Sequence, residues 1–437
     1  MAINKTIVAL VLALAVSATA QTRSAPRPHP SPTPAAKVAT SDADELKKAE
    51  DWLDLQQYQR AEETLLPIVE KQSTNPQAWF DLGFAQGHLH KTADSIAAYR
   101  KAVELGPKWF EARQNLGLAL AQSRDYPAAV AELKIAVTLS PPLPGRQQAL
   151  SKAWTYLAQA TENSGHTDEV LPDFKKAVEL DPDNDDAQFG LAFASYRIGL
   201  YADAEQIYLK LAAKGNQAAT RNLIGLYLFQ KRDAETETWV RRYIAANSRD
   251  TSALFLLSKL LAAQGKTKEA IAILEPVYKA TPGLYLASEL AALYVDAKQY
   301  DSAANVLQPM AAQNPREPYT HYYYGSALLH LHKYPEAQAE LMKAIELKPD
   351  LTEAYFDLAY AAQQNKNYEL TLRVLDARAK LQPETPATYF LRATAYDSLK
   401  MYKPAAENYK LFLAVAGGKF PDQEFQARHR LKAILPN

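Results

Sequence analysis

Residues 76–107 read PQAWFDLGFAQGHLHKTADSIAAYRKAVELGP. Within that stretch Trp79, Leu82 and Gly83 precede Tyr99, Ala102 and Pro107. A shift of 34 residues places Arg113, Leu116 and Gly117 ahead of Leu133, Ala136 and Pro141. The same order returns far downstream, where His321, Tyr324 and Gly325 lead to Leu341, Ala344 and Pro349. A fixed period of this length marks a stacked-repeat architecture, and overlooking it misreads the whole fold.

The pattern resembles the tetratricopeptide repeat (TPR), a helix–turn–helix unit of about 34 residues. The resemblance, of the exported bacterial type, implies an all-α chain: an α-solenoid, wound as a right-handed TPR superhelix. Eleven frames begin near Asp42, Pro76, Phe110, Ser151, Asp185, Ala218, Thr251, Leu284, Pro318, Thr352 and Pro386, filling 42–418. The eighth place of each unit, where the two helices come closest, reads Ala49, Gly83, Gly117, Ala158, Ala192, Gly225, Ser258, Ala291, Gly325, Ala359 and Ala393. All are small. Glycine inside a helix costs about 1 kcal/mol against alanine, so its use there signals close backbone approach. The second small place, on the second helix, reads Ala61, Ser95, Ala129, Val170, Ala204, Glu237, Ala270, Ala303, Ala337, Thr371 and Ala405. Pro107, Pro141, Pro182, Pro282, Pro315, Pro349 and Pro383 close seven units, where a residue unable to continue a helix belongs.

One hairpin is apolar on both sides and buries only the contact between its own helices, so neighbours must cover the remainder. The tail 419–437 carries Phe425, Leu431 and Ile434 among Gln, Arg and Lys and reads as a capping helix, apolar on one side. Two places depart from the pattern. Seven extra residues around Pro142-Leu143-Pro144-Gly145 separate the frames at Phe110 and Ser151. From Asp185 to Asp250 the closing proline gives way to Asn216 and Arg249, and Glu237 replaces a small residue. A kink or a divergent but ordinary repeat fits that stretch.

The 437 residues carry 49 Lys plus Arg against 49 Asp plus Glu, so no global field draws nucleic acid or an acidic membrane. No cysteine occurs, which removes disulfides, thiolate metal sites and cysteine nucleophiles. With 15 glycines the chain is poorly suited to an all-β fold or a sheet-based nucleotide site. A weakly basic Met1 to Lys5, the apolar run IVALVLALAV from Ile7 to Val16 and the small residues Ala18 and Ala20 describe a signal peptide over 1–20. An uncleaved anchor is the rival reading, but spanning a bilayer takes about 20 apolar residues. No stable membrane span is expected after cleavage. Prolines at 26, 28, 30, 32 and 34 make 21–41 an extended spacer, or a docking strip for a proline-binding partner.

Catalytic signatures are missing: no G-x-S-x-G, G-x-G-x-x-G or H-E-x-x-H occurs. Gly265-Lys266-Thr267 looks like the end of a phosphate loop, but Leu260 stands where the first glycine belongs. His88 with His90 and His330 with His332 take equivalent places, yet i,i+2 spacing sends the rings to different faces of a helix. Glu62-Glu63 and Asp185-Asp186 fall at helix ends and surfaces, without the divided environments that acid–base chemistry needs. No cofactor, metal or enzymatic activity is expected. The chaperone-binding subclass of the family grips a C-terminal carboxylate with Lys, Asn and Arg. Asn115 and Lys152 match two such places, but Phe80, Phe84 and Tyr156 occupy the flanking ones, leaving that clamp incomplete.

In the proteins this chain resembles, places 2, 5, 9 and 12 of each first helix face a concave groove. Here they supply Phe80, Phe84, Phe189, Phe193, Tyr196, Phe229, Phe255, Tyr285, Tyr319, Tyr322, Phe356, Tyr360 and Phe390, interspersed with polar residues such as Gln114, Asn222 and Asp397. Such rings either pack between hairpins or line a surface for a peptide or helix. The expected function is an exported, periplasmic (alternatively secreted) interaction scaffold that binds a protein or peptide segment. A carbohydrate-binding or polysaccharide-export role in envelope assembly is the alternative, and self-association is left open.

Overall fold

A computed structural model describes residues 40–141 and 144–434. The signal-peptide reading, the linker reading up to residue 39, Pro142 and Leu143 of the insertion, and residues 435–437 lie outside the described residues; Thr40 and Ser41, the end of the expected linker, belong to the first helix instead. Within them the chain forms twenty-three α-helices and no strand. The described helices separate into two compact units, divided between Tyr243 and Ile244 inside one helix.

The first unit contains the hairpins α1 (Thr40–Asp54) with α2 (Tyr58–Lys71), α3 (Pro76–His88) with α4 (Thr92–Leu105), and α5 (Phe110–Gln122) with α6 (Tyr126–Ala136). It continues through α7 (Arg146–Asn163) with α8 (Val170–Leu180), α9 (Asp185–Arg197) with α10 (Tyr201–Ala213), and α11 (Gln217–Phe229), which α12 (Asp233–Ala246) follows. The second contains α13 (Thr251–Ala263) with α14 (Thr267–Ala280), α15 (Leu284–Asp296) with α16 (Tyr300–Gln313), and α17 (Pro318–His330) with α18 (Tyr334–Leu347). It ends with α19 (Thr352–Gln364) and α20 (Tyr368–Ala379), α21 (Pro386–Ser398) and α22 (Tyr402–Ala416), and the single helix α23 (Pro421–Ile434). These are the all-α hairpin stacks implied by the repeat.

Each first helix stops at the same kind of turn. Gln56, His90, Arg124, Lys231, Lys298, His332, Lys366 and Lys400 adopt φ between 56° and 65°, and Gly165, Gly199 and Gly265 take the equivalent place. A left-handed residue just past a helix satisfies its last carbonyls, and only glycine does so free of the Cβ penalty. Lys91 N–H, one residue further on, donates to Gln86 O at 2.9 Å, and Asn367 N–H donates to Ala362 O at 2.8 Å.

The hairpin crossings explain the small residues. A Cβ on Gly83 would stand 2.9 Å from the Tyr99 ring, one on Gly117 2.6 Å from Leu133 Cγ, and one on Gly325 2.7 Å from Leu341 Cγ. Hydroxyls reinforce the contact. Ser95 Oγ donates to Gly83 O at 2.7 Å, Thr371 Oγ1 to Ala359 O at 3.3 Å, and Ser258 Oγ to Ala270 O at 3.1 Å.

The sixth repeat departs from its sequence reading. Its left-handed residue is Lys231, and its first helix begins at Gln217, one residue before the expected Ala218. Asn216 is the N-cap, accepting from Ala219 N–H at 2.9 Å, and Gly215 turns the chain with φ 87°. The eighth place is therefore Ile224, 4% exposed, and not Gly225. The second-helix place is the buried Thr236, whereas Glu237 lies outside the crossing and pairs with Arg241 at 2.8 Å. A shortened fifth repeat, closed by Gly215 without proline, shifts the register.

Two other places follow simple causes. The insertion extends α7 backwards, so that it starts at Arg146 after the left-handed Gly145. On the terminal helix Ala427, Leu431 and Ile434 pack onto the core beside Phe412, but Phe425 is 72% exposed and stacks on His429. Phe425 therefore does not belong to the apolar side of the cap.

Candidate interaction face

First helices of successive repeats meet side by side: α1 with α3 and α3 with α5 in the first unit, α15 with α17 and α17 with α19 in the second. Two kinds of contact form the seam in the second unit. The fifth place of one repeat meets the second place of the next, as Phe255 meets Tyr285 with ring centroids 5.1 Å apart. The ninth place meets the sixth, as Lys259 Nζ meets Glu289 at 2.7 Å and the Ser326 hydroxyl donates to Asp357. Places 2, 5, 6 and 9 thus share one face, because residues three and four apart on a helix are neighbours.

The anticipated groove residues divide by burial. Phe80, Phe84, Gln114 and Phe255 are buried, at 1%, 8%, 6% and 4% exposure, and present almost nothing to a partner. Phe80 is enclosed by Tyr99 and Trp109, and Phe84 packs on Tyr58 and His88. For these four the packing alternative holds, and they are withdrawn as binding residues. Phe189, Phe193, Tyr196, Asn222, Tyr322, Phe356 and Phe390 are half-buried. Phe189 leans on Tyr208, whose hydroxyl accepts from Asn222 Nδ2 at 3.2 Å, and Phe390 leans on Phe412. Phe229, Tyr285, Tyr319 and Tyr360 are exposed, at 57%, 46%, 43% and 39%.

In the first unit Phe229 joins Tyr196 and Tyr201 in a ring cluster with centroids 5.4–6.3 Å apart. Burial raises the Tyr196 hydroxyl above its usual range, with Tyr201 adding to the effect. In the second unit Lys348 Nζ lies 5.6 Å from the Tyr319 ring centroid, a cation on an aromatic face. Tyr322 and Tyr323 touch at 5.1 Å, and burial raises both hydroxyls, reinforced by Asp357 and Glu353 at Tyr322 and by Tyr319, Glu289 and Glu353 at Tyr323. Sequence reading missed Glu289, Tyr323 and Asp357 because they occupy the sixth place, which it did not collect. It passed over Glu353 because it sought rings and amides.

The histidine pairs serve the hairpin tips. His88 stacks on Tyr58 at 4.2 Å and His330 on Tyr300 at 4.2 Å, while His90 and His332 form the left-handed turns. Burial holds the His88 imidazole below its usual range, and His90 pushes in the same direction. Among the described residues no cluster of three or more His, Asp or Glu could hold a metal ion. Gly265 is the left-handed turn residue, and Thr267 starts α14, which accounts for the Gly265-Lys266-Thr267 triplet. Asn115 Nδ2 donates back to Glu111 O at 2.9 Å and is buried, so it is unavailable as a carboxylate clamp. Asp397 is likewise engaged, paired with Arg430 of the terminal helix at 2.6 Å. No described helix is long and apolar enough to cross a membrane.

Two profiles described as tetratricopeptide repeat match the chain, one over residues 46–108 and 85–144, the other over 163–225, 261–323 and 294–350, together more than half of it. A TPR repeat-containing protein of Methanocaldococcus jannaschii is 36% identical over 72 residues, 15% of this chain and 13% of that protein. The small glutamine-rich tetratricopeptide repeat-containing protein 2 of Mycosarcoma maydis is 29% identical over 124 residues, 28% of this chain and 31% of that protein. The chain thus spans less than a third of these relatives' lengths. Among solved structures, a tetratricopeptide repeat protein from Parabacteroides merdae aligns at 17% identity over 59% of this chain and 100% of that one, with TM-score 0.41. The APC/C hetero-tetramer Cut9–Hcn1 aligns at 14% identity over 91% and 97%, with TM-score 0.39.

Proposed function

Taking as premise that the chain belongs to the tetratricopeptide repeat family, we propose that it is an exported, periplasmic, non-enzymatic scaffold holding a protein or peptide segment against its first-helix faces. One observation carries the reading. Large rings stay in water on the same helices whose other faces build the core: Phe229 in the first unit, and Tyr285, Tyr319 and Tyr360 in the second. A stacked repeat has no need of exposed rings for its own stability, and clustered exposed aromatics favour partner binding. The export element rests on the N-terminal sequence, with its apolar run and small residues before position 21.

Capture by the immobilised full chain tests the scaffold reading. Purified peptides and oligosaccharides are offered to wild type and to a Phe229→Ser, Tyr285→Ser, Tyr319→Ser, Tyr360→Ser variant. Peptide capture that disappears in the variant, with helical circular dichroism preserved, supports it. Capture confined to oligosaccharides favours the carbohydrate alternative and overturns it. Fractionation of cells expressing the full chain tests export: retention of an uncleaved protein with the cytoplasm contradicts that part.

A further inference from the structure

Three successive first helices in the second unit present a two-row lattice at matching places. The second places are Tyr285, Tyr319 and Glu353, and the sixth places are Glu289, Tyr323 and Asp357. Each pair is spaced i,i+4 and so lies on one helix face. Tyr285, Tyr319 and Tyr323 are 46%, 43% and 36% exposed, Glu353 is exposed, and Glu289 and Asp357 are half-buried.

The charge of this lattice is one-sided. Helices α15, α17 and α19 contain Glu289, Asp296, Glu353 and Asp357 but no lysine or arginine. The chain brings two cations to the lattice from elsewhere. Lys259 reaches across to Glu289 at 2.7 Å, and Lys348 places Nζ 5.6 Å from the Tyr319 ring centroid. Glu353 and Asp357 form no ion pair among the described residues; the Ser326 hydroxyl and, electrostatically, His330 act on Asp357, and the Thr352 hydroxyl donates to Glu353. Tyr322 and Tyr323 touch at 5.1 Å, and beyond burial the carboxylates help to raise their hydroxyls, Asp357 and Glu353 at Tyr322 and Glu289 and Glu353 at Tyr323.

Exposed tyrosine faces bordered by carboxylates of which two, Glu353 and Asp357, have no lysine or arginine partner among the described residues suit an ammonium or guanidinium group, which gains from the ring quadrupole and from the acids together. We propose that this face of α15, α17 and α19 takes a lysine- or arginine-bearing peptide segment. The inference deepens the scaffold reading and rests on it. Charge complementarity selects the occupant: an acidic segment would meet Glu353 and Asp357, neither of which has a lysine or arginine partner among the described residues, and a neutral one would desolvate them without supplying one.

A random dodecapeptide library panned on the immobilised full chain provides the test. Parallel pannings use a Glu353→Gln, Asp357→Asn double variant and a Tyr319→Ala, Tyr323→Ala double variant. The expected result is enrichment of Lys and Arg among peptides held by wild type and loss of that enrichment in both variants. A recovered peptide should bind each variant about tenfold more weakly and lose affinity as salt is raised. Recovery of acidic or neutral peptides, or equal Lys and Arg enrichment on the variants, overturns the inference and leaves the scaffold reading intact. Recovery of no peptide at all overturns both.

Discussion

Arg430 on the terminal helix grips Asp397 on α21 with two hydrogen bonds, Nε to Oδ2 at 2.7 Å and Nη2 to Oδ1 at 2.6 Å. The Asp397 side chain is 10% exposed and also accepts from Tyr409 Oη at 3.2 Å. A repeat stack needs a final element that covers the last apolar face and shows water its other side. This fork fixes the angle at which α23 lies on Phe412 and Ala416. Arg430→Ala removes two bonds to a mostly buried carboxylate and should lower stability by about 1.5–3 kcal/mol. Urea denaturation reads the total, and hydrogen exchange should show the loss concentrated in 421–434; uniform exchange across the chain would count against the local role.

Gly190 on α9 faces the ring of Phe174 on α8, and an added Cβ would overlap that ring. In an unobstructed helix, replacing glycine by alanine stabilises by about 1 kcal/mol. Here overpacking should win, and Gly190→Ala is expected to cost about 1–3 kcal/mol. Adding Phe174→Leu in the same chain should recover part of that loss. Denaturation midpoints of the single and double variants decide the matter, and a stabilised Gly190→Ala chain would refute the close approach.

The left-handed turns give a prediction of opposite sign. Lys366 and Lys400 hold φ 60° at exposed turns, a conformation strained for a residue with a Cβ. Lys366→Gly should raise stability by up to about 1 kcal/mol. Gly265→Ala should lower it by about 1–2 kcal/mol. Thermal unfolding of the two variants beside wild type checks both signs.

Burial raises the Asp357 carboxyl above its usual range, while the Ser326 hydrogen bond and His330 partly oppose the shift. The folded chain therefore holds this proton more tightly than the unfolded chain. Stability linked to Asp357 is fully present below the ordinary carboxylate range and is lost as pH rises through the raised value. Asp357→Asn should remove that component, so that its stability gains on wild type as pH rises from about 3 to 7. Denaturant titrations across that window measure the difference; a constant gap would contradict the linkage.

Much of the fold was legible because repetition averages out local ambiguity. Gly83, Gly117 and Gly325 recur at one place and meet Tyr99, Leu133 and Leu341, as a close crossing requires. The register failed at Gln217, where Gly225 lies one residue beyond the structural eighth place and mimicked the motif. The cue that could have corrected it was Lys231, spaced by one period from Gly265. The candidate face was less legible. Phe80 and Phe255 share the fifth place with the half-buried Phe189, Tyr322, Phe356 and Phe390, and only the neighbouring side chains decide how deeply each ring is covered. Position in the repeat gives direction, whereas burial depends on what the next hairpin supplies.

The most direct measurement of the scaffold account compares peptide affinity across the two kinds of helix. Fluorescence anisotropy of a library-selected peptide is titrated with the full chain, with Tyr319→Ala plus Tyr360→Ala on first helices, and with Met342→Ala plus Leu347→Ala on the second helix α18, whose side chains are 45% and 37% exposed. The account predicts a loss of about tenfold or more for the first-helix variant, in keeping with the removal of exposed aromatic anchors. It predicts no change for the second-helix variant. Weakening confined to the second-helix variant, or equal affinity in all three proteins, would contradict it.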